Sequence, residues 1–320
     1  MRKSYLLVAA VLLVAASCQK NDNASSIEGI KYNPIDVVLS AAIEDVDTKI
    51  GYTEDANALK AAWVSGDAVS LVAIDASGNV LSNDVFTTTT AGSVAKFSGT
   101  YSNPEGAVMV SVFYPALTQG DGSNENPWRC ENDVLYNMKL GKVFINISTY
   151  GPHYQEMNAD PAFLSKSVVM KGKISDMSAF MSGAAKTTLS NTCYIIKTTV
   201  TLPPTVTKVS EVRLVASSSS ITALGWTEVD DDFMIYYGGP ASSEFSKITT
   251  RLGNFAPASD GTVTAWMIGY VANKFEVASG ETLTMSVTTD QGVISRVKTL
   301  KSNMTFEPGK IYRLTVDMTK

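Results

Sequence analysis

One histidine, His153, occurs in 320 residues, and that scarcity removes whole classes of chemistry. Zinc sites built from several imidazoles and the His-x-x-x-His helices that carry them are excluded. In Tyr150-Gly151-Pro152-His153-Tyr154 the single imidazole reads as a loop residue, with no nucleophile beside it to activate. No Gly-rich phosphate loop and no Cys-x-x-Cys pair occurs. Asp121, Ser123 and Glu125 alternate as calcium ligands would, but the Gly and the bidentate Glu of a calcium loop are missing. Asp230-Asp231-Asp232 reads as a solvated turn. Positive charge is also thin, with 26 Lys and Arg against 31 Asp and Glu. No basic stripe exists to meet phosphates, so nucleic acid is excluded as a partner. The residues nominate no catalytic group, no metal site and no cofactor.

Long apolar runs are absent except at the start, where Arg2 and Lys3 precede the stretch from Tyr5 to Ala16. It is too short to span a bilayer and has the basic, apolar, small-residue layout of a secretory signal. Leu13-Val14-Ala15-Ala16-Ser17-Cys18 resembles a bacterial lipoprotein signal, in which the Cys is acylated and becomes the new N-terminus. Residues 1–17 are therefore a signal peptide and Cys18 the lipidation site, with residues 18–34 a polar, flexible tether. Loss of Arg2 and Lys3 takes the net charge from −5 to −7. Cysteine is scarce, only three in all. In an exported chain Cys130 and Cys193 either pair or stand as two buried thiols, and spacing does not decide between these.

What is abundant is short segments rich in Val, Ile, Thr and Tyr, divided by Gly, Asn, Asp and Pro. Val37–Ile43, Val69–Ile74, Val80–Phe86, Val108–Tyr114, Val168–Ile174, Tyr194–Leu202, Val209–Ala216, Phe233–Tyr237, Val263–Val271, Leu283–Thr288, Val293–Leu300 and Ile311–Val316 read as strands. Asp75–Asn79 and Thr289–Gly292 read as hairpin turns. Strands returning at such intervals imply an all-β chain of sandwiches in two domains, 35–183 and 184–320, with the boundary near Met181-Ser182-Gly183. Ala62-Trp63-Val64-Ser65-Gly66-Asp67 organises the first of these: Gly66-Asp67 turns the chain, the residues after it form a strand, and Trp63 caps a core.

A Trp followed by a Gly-Asp turn shortly after an N-terminal strand resembles the start of the fimbrillin family of Gram-negative anaerobes. Asp84-Val85-Phe86-Thr87, Phe97-Ser98-Gly99 and Val112-Phe113-Tyr114-Pro115 resemble that family's successive hairpins. Phe306-Glu307-Pro308-Gly309-Lys310-Ile311-Tyr312-Arg313-Leu314-Thr315-Val316 is similar to its closing strand. The resemblance implies two transthyretin-like or Greek-key β-sandwich domains in tandem, and a non-enzymatic subunit or accessory of a surface adhesive fimbria. It also implies partners among other fimbrial subunits, as homo- or heteropolymer, and an outer-membrane location through the lipid.

In that family a protease cuts after a basic residue that follows the first strand, and a neighbouring subunit's strand fills the freed groove. Here the removable strand is Ile35–Ile43, with Val37, Leu39 and Ala41 on one face, and Lys49 and Lys60 are the processing candidates. Neither is the Arg the family commonly carries. The reading needs this first strand to leave an edge that can be shared. Tyr312, Leu314 and Val316, with Met318, alternate as a donor strand requires and equally suit an ordinary last strand. A second reading is a stand-alone surface lipoprotein that binds host or dietary glycans or a host protein, with Trp128 in the Gly- and Asn-rich loop as its ligand contact.

Overall fold

Among the described residues, fourteen strands of five residues or more carry the fold. The computed structural model describes residues 29–43, 62–116, 153–164, 168–222, 246–271 and 274–320. It also describes the short strands Thr53–Asp55, Ala58–Lys60, Thr118–Gln119, Val134–Tyr136, Phe144–Ile147, Gly225–Glu228 and Met234–Ile235. The long strands are β1 (Ile35–Ile43), β2 (Ala68–Ile74), β3 (Val80–Thr88), β4 (Val94–Tyr101), β5 (Met109–Tyr114), β6 (Met170–Ile174) and β7 (Lys186–Asn191). They continue as β8 (Cys193–Thr201), β9 (Val209–Ala216), β10 (Lys247–Phe255), β11 (Thr262–Tyr270), β12 (Thr282–Thr289), β13 (Gly292–Thr299) and β14 (Ile311–Asp317).

Strands β1 to β7 hydrogen-bond in the order β1-β7-β6-β5-β2-β3-β4 and close on themselves. The first unit is thus a closed ring of seven strands, where the sequence implied a β-sandwich. Closure removes edges that an open sheet would leave unpaired. The inward positions fill it: β2 buries Val69, Leu71 and Ala73, β3 buries Phe86, and β4 buries Ala95, Phe97 and Tyr101. The Asp75–Asn79 connection is a turn whose Asp75 carboxylate accepts from the Ser77 and Asn79 backbone N–H groups, each at 2.8 Å.

The second unit has two larger sheets, with Phe275–Val277 and Met304–Phe306 pairing as a small third one. Of the larger two, one runs His153–Gln155, β10, β9, β12, β13, and the other β11, β8, β14. Their inward residues, among them Val212 and Leu214 on β9 and Ile196 and Val200 on β8, belong to one buried cluster that continues into the ring. Thr289 and Gly292 pair across the two-residue turn that the sequence marks. A short helix, α1 (Met177–Met181), leads into β7 and is capped by Asp176, whose carboxylate accepts from the Ala179 N–H at 2.9 Å.

Two exchanges move the domain boundary. Strand β7 lies beyond residue 183 but pairs with β1 and β6 in the first ring, so that ring reaches Asn191. In the other direction, His153–Gln155 lies in the first half yet runs parallel to β10. There the buried Gln155 side chain accepts from the Trp266 N–H at 2.9 Å and donates to the carbonyls of Met157 and Thr264. His153 is accordingly in a strand and not in the loop expected from Gly151-Pro152.

Candidate strand-exchange site

Strand β1 alternates because its sequence does. Val37, Leu39, Ala41 and Ile43 face inward and are buried, whereas Asp36 and Val38 face solvent. Burying Val37, Leu39 and Ile43 contributes on the order of 5–9 kcal/mol, at about 1.5–3 kcal/mol per large aliphatic side chain. That is comparable to the whole stability of an ordinary domain.

Two strands hold β1. It runs antiparallel to β4 along most of its length, with Val37 opposite Gly99, Leu39 opposite Phe97 and Ala41 opposite Ala95. It runs parallel to β7 over Ser40–Ile43, placing Ala41 beside Thr187 and Ile43 beside Leu189. The edge that the sequence reading needed is therefore closed over Ser40–Ile43. A neighbour's strand cannot add to β1 there while β1 is in place; it can only take β1's position.

Trp63 is the centre of the arrangement. It is fully buried rather than capping the core, and its indole N–H donates to the Ala41 carbonyl at 3.0 Å. The ring meets Phe97 and Tyr114 edge-on, with centroids 4.8 and 5.4 Å apart. Its backbone is fixed by reciprocal hydrogen bonds with Gly92 at 2.8 and 3.0 Å. The turn that follows works as the sequence suggests: Gly66 has φ +96°, and the Asp67 carboxylate accepts from the Val64 N–H at 2.8 Å. Gly99, opposite Val37, is required by packing, since a Cβ there would lie 2.7 Å from the Phe86 ring.

Three groups near the groove are shifted in acidity by burial. Asp67 is raised, the Val64 and Tyr114 bonds only partly offsetting desolvation. Asp84 on β3 is also raised by burial, against the lowering effect of bonds from the Ser102 hydroxyl and N–H and the Ser82 hydroxyl at 2.5, 3.0 and 3.1 Å. Tyr101, which packs on Phe180 of α1 at 4.9 Å, has its phenol pushed up by burial and by the Asp84 charge. Its hydroxyl is buried without a hydrogen-bond partner.

The proposed donor residues sit in β14, which pairs in parallel with β8 from Ile311 to Asp317. Tyr312 packs edge-on against Tyr194 and Phe306 at 5.7 and 5.0 Å, and its hydroxyl accepts from the Glu307 N–H at 2.9 Å. Leu314 and Val316 are half-buried and Met318 is buried. No other strand among the described residues pairs with the far side of β14. Cys193 carries a free, buried thiol that burial pushes up to about 12. Cys18, Lys49, Trp128 and Cys130 lie outside the described residues, and Lys60 ends the short strand Ala58–Lys60. Sequence reasoning missed Ala95, Thr187 and Gly92 as parts of the site. Ala-x-Phe spacing in β4 is the one signal that pointed there.

No protein-family model matches the chain, and no curated protein matches it. Solved structures to which it is similar include a candidate cell adhesion protein from Bacteroides ovatus, at 13% identity, 89% of this chain, 92% of that chain and a TM-score of 0.43. A fimbrial assembly protein from Parabacteroides distasonis is 12% identical over 89% of this chain and 92% of its own, with a TM-score of 0.35. The fimbrial anchor protein Mfa2 from Porphyromonas gingivalis is 12% identical over 83% of each chain, with a TM-score of 0.32.

Proposed function

We propose that this chain is a non-enzymatic structural or accessory subunit of a surface adhesive fimbria, assembled by replacement of β1 with a strand from another subunit. The observation that carries the reading is β1 itself: a terminal strand that supplies four inward residues to a ring closed around it, held by ladders that any extended chain can reproduce. Acylation at Cys18 tethers the newly exported chain to the outer membrane. A cut at Lys49 or Lys60 separates β1 and the lipid from the body that begins near Trp63. Since the groove is too apolar to stay empty, departure of β1 and entry of the new strand occur together. The glycan-binding alternative rests on Trp128, and no described residue adds to it.

Mass spectrometry of the protein taken from its native surface tests this reading. Fibre-borne chains beginning at Ile50 or Ala61 are expected. Fibre-borne chains that all begin at acylated Cys18 and retain β1 contradict it.

A further inference from the structure

The groove occupied by β1 is not uniform along its length, and its narrowest point restricts what strand can replace β1. Ala41 is fully buried, and in the ladder it lies between Ala95 on β4 and Thr187 on β7, both of them buried and inward-facing. Trp63 closes the third side, its indole nitrogen 3.0 Å from the carbonyl of residue 41. Thr187 is itself backed by β6, where Gly172 approaches so closely that an added Cβ would lie 2.7 Å from the Thr187 hydroxyl. Two alanines face each other across the ladder beside a fully buried indole, so a larger side chain at 41 would overpack a filled core.

We infer that the groove selects a donor strand with a small residue, Ala, Gly or Ser, in the place of Ala41, two positions after a large aliphatic in the place of Leu39. This rests on the replacement reading above. This chain's own last strand does not meet the requirement. From Ile311 to Met318 one face of the chain offers Tyr312, Leu314, Val316 and Met318, and the other Ile311, Arg313, Thr315 and Asp317. Every register puts a side chain larger than Ser into the slot. The strand that enters is therefore not β14 of another copy, and the chain does not polymerise on itself through that strand.

The test uses the mature full-length chain, folded and then cut at a protease site introduced at Lys49, so that the β1 fragment remains seated. Three peptides are offered in excess: residues 34–44, the same peptide with Ala41→Leu, and residues 310–320. Release of the fragment is followed by native mass spectrometry. The first peptide is expected to displace the fragment, and the other two to bind about ten- to a hundred-fold more weakly, the loss that overpacking a rigid core brings. Displacement by the 310–320 or Ala41→Leu peptide at the level of the first overturns the selection and leaves strand replacement standing. Failure of every peptide, that of β1's own sequence included, overturns strand replacement and the selection with it.

Discussion

The indole N–H of Trp63 donates to the carbonyl of Ala41 at 3.0 Å, tying the residue that follows segment 44–62 to the strand that precedes it. Both sides of the segment carrying Lys49 and Lys60 thus end on the same few ångströms of core. On the proposed reading, a cut between them is expected to leave β1 bound, because its ladders and its contact with Trp63 do not depend on the connection. This favours a mechanism in which processing licenses exchange without itself emptying the groove.

Replacing Trp63 by Phe removes that hydrogen bond and part of a side chain that packs on Phe97 and Tyr114. The expected loss is about 2 kcal/mol, from a cavity and a missing bond. Urea denaturation of the full chain checks it. A change under about 0.5 kcal/mol would mean that Trp63 does not organise the ring.

Ala41→Leu in the intact chain should cost about 1–3 kcal/mol by overpacking the slot between Ala95 and Thr187. Val38→Thr, on the outward face of the same strand, should stay within about 0.5 kcal/mol. Equal effects of the two substitutions on the denaturation midpoint would show that the slot has no special tightness.

Two carboxylates give pH dependences of opposite sign. Burial raises Asp84 above its ordinary 3.8, so its protonated form is favoured in the folded chain. The resulting contribution to stability is present below pH 3.8 and is lost as pH rises through the folded value. Asp84→Asn should abolish this decline, and Ser102→Ala, by removing the hydroxyl bond to the carboxylate while keeping the backbone N–H bond, should move the titration further up. Glu281 is held down to about 2, chiefly by the Ser219 hydroxyl bond at 2.5 Å, with the Ser219 and Ala278 N–H groups adding to it. Its contribution is present above about pH 4.5 and is lost as pH falls toward 2. Side-chain carboxyl titration by NMR separates the two. Asp84 titrating below 3.8, or Glu281 titrating at its unperturbed value, contradicts this account.

Cys193 is buried with its thiol pushed up to about 12. Its alkylation by iodoacetamide at pH 8 should be negligible in the folded chain and rapid in urea, since the thiolate is the reactive form. Rapid labelling of the native protein would place Cys193 at a surface, and its absence from the labelled denatured chain under non-reducing conditions would reveal a bridge.

Much of this was legible in the residues. The alternation of Val37, Leu39 and Ala41, the Gly66-Asp67 turn, the two hairpins and the span Val209–Ala216 all follow from local periodicity and turn chemistry. Three long strands escaped notice, Val94–Tyr101, Lys186–Asn191 and Lys247–Phe255; the last two alternate Thr, Lys and Arg with only a few apolar residues, and look like loops when read alone. Tertiary pairing makes them strands. For the same reason the boundary at 183 fell short, because nothing local in Lys-Thr-Thr-Leu-Ser-Asn announces that β1, far back in the chain, is its partner. The slot at Ala41 was equally hidden, since an alanine's neighbours across a ladder are fixed by register, and long-range register is not written in a single segment.

Hydrogen–deuterium exchange on the full chain, before and after cutting at a site introduced at Lys49, tests most directly whether β1 is separable from its ring. The account predicts that after the cut the amides of Ile35–Ile43, with those of β4 and β7 that face them, exchange through an opening that leaves β2 and β5 protected. Exchange of β1 only together with β2 and β5, at the rate of global unfolding, would contradict it.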